Sequence, residues 1–77
     1  MTQWTVYSRA DCSLCEQLLD ELAELLGPEA ATAVQVVDIE GRPELKRRYG
    51  TRIPVLMADD EFVCAYRVDA ERVRAYL

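Results

Sequence analysis

Seventy-seven residues, 51% of them hydrophobic, are expected to form a single domain over 1–77, near the size where a core is only just large enough. The formal net charge of −5 argues against nucleic acid as a partner, because nucleic acid favours a basic surface. Histidine is absent, which excludes Ser–His and Cys–His hydrolase chemistry and removes the commonest transition-metal ligand.

Taken in chain order, Trp4, Thr5, Val6 and Tyr7 are β-branched or aromatic and predict a first strand over residues 3–8. That start has no basic residues and no long apolar run, so it does not read as a secretory signal, and no stretch is long enough to span a membrane. A cytoplasmic protein with no membrane partner is the expectation. After a loop at Arg9–Asp11, Leu18, Leu22 and Leu25 recur at helical spacing, with Leu19 and Leu26 beside them. Glu16, Gln17, Asp20, Glu21 and Glu24 fill the opposite face of this amphipathic helix. Asp11, Cys12 or Ser13 can cap it, and Ser13 with Glu16 fits a capping box. Gly27-Pro28 is its stop signal.

Val34, Val36, Val37 and Ile39 mark a second strand. Pro43 suits a first helical position and Gly50 a helix end, giving a short helix over 43–49 with Leu45 and Tyr49 inward. Its Lys46-Arg47-Arg48 run is the only basic cluster and reads first as a solvated face. Pro54 to Ala58 is apolar without alternation, as in a strand covered on both faces. Asp59-Asp60 turns the chain into a fourth strand, where Phe62, Cys64 and Tyr66 alternate with Val63, Ala65 and Arg67 and are expected to share a helix-covered face. Asp69 caps a last helix that turns Val73, Tyr76 and Leu77 inward. The order β-α-β-α-β-β-α predicts an α/β fold with a four-stranded mixed sheet and helices on both faces.

The chemistry rests on the cysteines. Cys12, Cys15 and Cys64 are too few, and odd in number, for a disulfide scaffold. Cys12 and Cys15 form a C-x-x-C directly after a strand and at the start of a helix. Unpaired N–H groups and the positive end of the helix dipole stabilise a thiolate there. Cys12 is expected to be the more exposed, more acidic thiol, and Cys15, one turn in, the sheltered one. Arg9 adds positive charge and Asp11 opposes it. Thiolate attack by Cys12 on a disulfide, resolved by Cys15, follows from that arrangement. A closed zinc site needs four ligands, so metal would require Cys64 with a carboxylate, or a second chain. No resident metal is expected. Cys64 reads as a buried small hydrophobe. Ile53-Pro54, at the entry of a strand next to the first, is placed near the cysteines, although an ordinary trans proline satisfies the same residues.

The segment from Tyr7 to Cys15, Tyr7-Ser8-Arg9-Ala10-Asp11-Cys12-Ser13-Leu14-Cys15, resembles the tyrosine-serine-lysine-proline-glycine-cysteine-proline-tyrosine-cysteine segment of glutaredoxins. Gly50-Thr51-Arg52-Ile53-Pro54-Val55 is similar to that family's threonine-valine-proline region. Element order and length agree over nearly the whole chain, and short bacterial glutaredoxin-like proteins are the nearest likeness. The resemblance implies a thioredoxin fold, catalytic Cys12 and Cys15, a cis-proline at Pro54, and glutathione as a co-substrate held partly by basic side chains. Arg9 matches the family's lysine, and Arg52 or Arg48 its other basic residue. Arg9, Ser13, Leu14, Arg52, Ile53 and Pro54 are the expected substrate contacts. Two features depart from the family. Ser13-Leu14 replaces proline-tyrosine, and Tyr66-Arg67-Val68-Asp69 stands where glutaredoxins place a glycine pair, so glutathione binding is expected to be weak.

The expected activity is dithiol–disulfide exchange on protein or small-molecule disulfides by a monomer, with a thiol reductant completing the cycle. Two other readings stay open at this point. One is a non-catalytic thioredoxin-fold binding module; the other is a metal or iron–sulfur carrier that uses Cys12 across a dimer.

Overall fold

The computed structural model describes residues 2–77. Its elements are β1 (Trp4–Ser8), α1 (Ser13–Leu26), α2 (Pro28–Ala31), β2 (Gln35–Asp38), α3 (Pro43–Tyr49), β3 (Val55–Ala58), β4 (Glu61–Ala65) and α4 (Ala70–Arg74). The sheet order is β2-β1-β3-β4, with β1 and β2 parallel and the other neighbours antiparallel.

Alternation along β1 sends Trp4, Val6 and Ser8 to one face and Thr5 and Tyr7 to the other. The first face holds the main core. Leu18 and Leu22 of α1 and Val73 of α4 pack there with Trp4, Val6, Leu56, Ala58 and Val63. Each fully buried aliphatic side chain in this cluster stabilises the fold by about 1.5–3 kcal/mol. The second face carries α3, whose Tyr49 ring stacks on Tyr7 with centroids 4.4 Å apart. No α3 residue is fully buried, so Leu45 and Tyr49 are half-buried side chains on a thin second layer. β3, central in the sheet, is covered on both faces; Val55, Leu56 and Ala58 have no exposed surface.

Gly27, at φ 88°, ends α1 where the sequence places its stop, and Pro28 then opens an additional one-turn helix, because a proline that cannot continue one helix suits the first position of the next. Three expectations, on β4 and the last residue, are corrected. In β4 the register shifts between Leu56 and Met57, pairing Leu56 with Cys64 and Met57 with Phe62. Val63 is the extra residue of this bulge, so both Val63 and Cys64 are buried while Phe62 is 48% exposed. Phe62 and Cys64 therefore do not share a covered face. The strand also stops at Ala65, which leaves Tyr66 outside it. At the C-terminus, Tyr76 meets Trp4 edge-on at 5.7 Å, whereas Leu77 is 68% exposed and does not face inward.

Candidate functional site around Cys12 and Cys15

The cysteine pair sits where β1 hands the chain to α1. Arg9 and Ala10 are exposed, and Asp11 turns the chain at φ 56°, a left-handed conformation that aspartate tolerates better than most residues. Cys12 itself is the N-cap. Its extended backbone places Sγ to accept from the Cys15 N–H at 3.2 Å, and its carbonyl accepts from the Glu16 N–H. The Ser13–Glu16 capping box is thus replaced by a sulfur cap one residue earlier, with Ser13 already inside the helix.

Cys12 is half-buried and Cys15 is 2% exposed, packed on the core side of α1. The two are joined by a disulfide, with Cα atoms 5.2 Å apart. Leu14, between them, is 42% exposed and Ser13 is exposed. The first turn of α1 therefore presents one accessible sulfur, one sheltered sulfur and an uncovered aliphatic side chain.

The antiparallel register pairs Tyr7 with Val55, and one further step sets Pro54 beside Ser8 at the end of the sheet from which the cysteine loop leaves. Pro54 is buried, Ile53 is half-buried, and the Ile53–Pro54 peptide bond is cis. Among the described residues, none of the backbone hydrogen bonds outside the helices and strand ladders involves Ile53. Arg9 and Arg52 are exposed, and neither belongs to the ion pairs found among the described residues, Lys46–Glu40 and Arg72–Asp69.

Tyr66 completes this end of the sheet. Its N–H donates to the Pro54 carbonyl at 2.8 Å, and its phenol donates to the Thr51 carbonyl at 2.7 Å. Its φ is 70°, unusual for a bulky side chain. The ring is thus folded back over residues 51–54. The sequence reads Tyr66 as a residue of the fourth strand and as the one in place of a glycine; its left-handed backbone carries no readable signal.

Cys64 lies apart, 7% exposed in the core cluster. Burial pushes its thiol above the ordinary range, opposed by a hydrogen bond from the Asp69 backbone N–H. Asp69 caps α4 through a bond from the Arg72 N–H, as its place in the sequence predicts. Among the described residues, no three histidine, cysteine, aspartate or glutamate side chains gather as a metal site, and no helix is long and apolar enough to cross a membrane.

A C-x-x-C at a helix start, beside a proline opening the central strand of a four-stranded mixed sheet, defines a glutaredoxin-like protein of the thioredoxin superfamily. The comparisons agree. Residues 3–77 match the family described as Glutaredoxin-like domain (DUF836), and the chain belongs to that family. An uncharacterised protein of Mycobacterium tuberculosis is 35% identical over 77 residues, covering 95% of this chain and 79% of the relative. The solution structure of protein Ne2328 from Nitrosomonas europaea is 35% identical with a TM-score of 0.84, covering 99% of this chain and 91% of that one. The X-ray structure of protein XcR50 from X. campestris is 36% identical with a TM-score of 0.75, covering 95% and 92%.

Proposed function

We propose that the protein is a cytosolic dithiol–disulfide oxidoreductase with Cys12 as nucleophile and Cys15 as resolving thiol. The observation that carries the reading is the unequal burial of two bonded cysteines at a helix start. The helix N-terminus favours the Cys12 thiolate, the reactive form. That thiolate attacks one sulfur of a disulfide, a new sulfur–sulfur bond forms, and the other half leaves as a thiolate that takes up a proton. The Cys15 thiolate then attacks Cys12 Sγ and releases the bound half as a second thiol. Two electrons have passed from the dithiol to the substrate, and the Cys12–Cys15 disulfide remains. Two equivalents of a thiol reductant restore the dithiol by the reverse exchanges.

Burial of Cys15 keeps the resolving sulfur from outside disulfides but within reach of Cys12. In this reading Arg9, Ser13, Leu14, Arg52 and Ile53 form the substrate surface, with Pro54 buried beneath it. The backbone of Ile53, spared by the fold's own turn hydrogen bonds, suits an extended polypeptide or a small disulfide. Turnover of hydroxyethyl disulfide by wild type, Cys12→Ser and Cys15→Ser tests the roles. Wild type turns over, Cys12→Ser does not, and Cys15→Ser accumulates a mixed disulfide on Cys12. A wild-type protein that leaves hydroxyethyl disulfide untouched refutes the reading.

A further inference from the structure

Resting on the oxidoreductase reading above, we infer that Tyr66 determines which disulfides reach Cys12, admitting polypeptide disulfides flanked by apolar residues and turning away glutathione disulfide. Ser8, Pro54 and Tyr66 form one row across β1, β3 and the end of β4, so Tyr66 stands two strand spacings, about 10 Å, from the strand that leads to Cys12.

Three observations carry the inference. First, the backbone N–H groups of Tyr66 and of the residue after it are already used. Tyr66 donates to Pro54 and Arg67 donates to the Ala65 carbonyl, both at 2.8 Å. A carboxylate arriving here finds neither N–H available. Second, the Tyr66 ring is held over residues 51–54 by its bond to Thr51, yet 48% of the residue stays exposed. Leu14, between the cysteines on α1, is 42% exposed, so each of the two segments carries an uncovered apolar group. Apolar side chains beside a substrate cysteine gain by burial against such groups, whereas the γ-glutamyl and glycyl arms of glutathione bring charge and no apolar side chain. Third, Tyr66 keeps a left-handed backbone that glycine or asparagine adopts more easily. A bulky residue in that conformation points to a role for its ring.

The exposed arginines Arg9, Arg52 and Arg67 do not reverse this preference, because exposed charge pairs contribute little and attract acidic groups of either substrate class.

The test compares second-order rates for oxidation of the reduced protein by two probes. One is oxidised glutathione; the other is a disulfide-linked dimer of a short peptide with leucine on each side of its single cysteine. For wild type the peptide reacts faster by about tenfold, the scale on which apolar contacts discriminate. Tyr66→Gly brings the ratio near unity, and Tyr66→Phe, which keeps the ring, holds it within about threefold of wild type. Tyr66→Asn, also suited to this backbone, replaces Tyr66→Gly if that variant is unstable. The rate ratio is insensitive to a uniform loss of active protein. A wild type that prefers glutathione disulfide, or glycine and asparagine variants that keep the wild-type ratio, overturns the inference. Failure of wild type to react with hydroxyethyl disulfide instead overturns the oxidoreductase reading itself.

Discussion

Cys15 and Cys64 are almost equally hidden, at 2% and 7% exposure, yet the structure gives them opposite surroundings. Cys15 lies one turn into α1 and is bonded to a half-buried partner that also caps the helix. Cys64 lies at the bulge of β4, unpaired, with its thiol pushed up by burial. Burial alone therefore does not separate a structural from a redox cysteine. What separates them is an accessible partner sulfur at a helix start.

The largest expected effect falls on Cys12. Cys12→Ser lowers disulfide exchange by about 10³-fold or more, the scale lost with a nucleophile, while thermal melting confirms a folded protein. Retained activity would erase the distinction between the two regions. Next comes the packing that holds the helix in place. Leu22→Ala, at a fully buried α1 position, costs about 2–5 kcal/mol in urea unfolding. Cys64→Ala is milder, costing about 1 kcal/mol with exchange activity retained. Loss of activity in folded Cys64→Ala would bring the third cysteine into the chemistry.

The smallest effect is electrostatic and follows from the raised Cys64 thiol. The unfolded chain ionises this thiol at lower pH than the folded one does. The folded state then holds more protons in the interval between, so stability falls as pH rises there. The contribution is complete below the ordinary thiol range and is lost as pH climbs through the folded value. Unfolding free energy measured against alkaline pH should show a decline that is shallower in Cys64→Ala. Identical slopes would mean that Cys64 does not feel its burial.

Much of this was legible because the chain punctuates itself clearly. The leucine period of α1, the unbroken apolar run of β3 and the Asp69 cap each fix an element by one strong local signal. The Cys12–Cys15 pair was equally plain, since its placement between a strand and an amphipathic helix needs only the neighbouring residues. The departures share a physical cause, a residue satisfying two demands or an irregularity without a composition. Pro28 both ends and begins a helix. Val63 slips into a bulge and inverts the alternation around Phe62 and Cys64. Of the three candidate caps of α1, the sulfur of Cys12 takes the place that the Ser13–Glu16 pattern offered to an oxygen. Tyr66 adopts a backbone that its side chain disfavours, at φ 70°, and is bonded there to Thr51 and Pro54.

The division of labour between Cys12 and Cys15 is tested most directly by alkylating the fully reduced protein with iodoacetamide across pH and mapping each cysteine by mass spectrometry. Cys12 should label first and at the lowest pH, Cys15 later, and Cys64 only on unfolding. Earlier labelling of Cys15 or Cys64 in the folded protein would contradict the account.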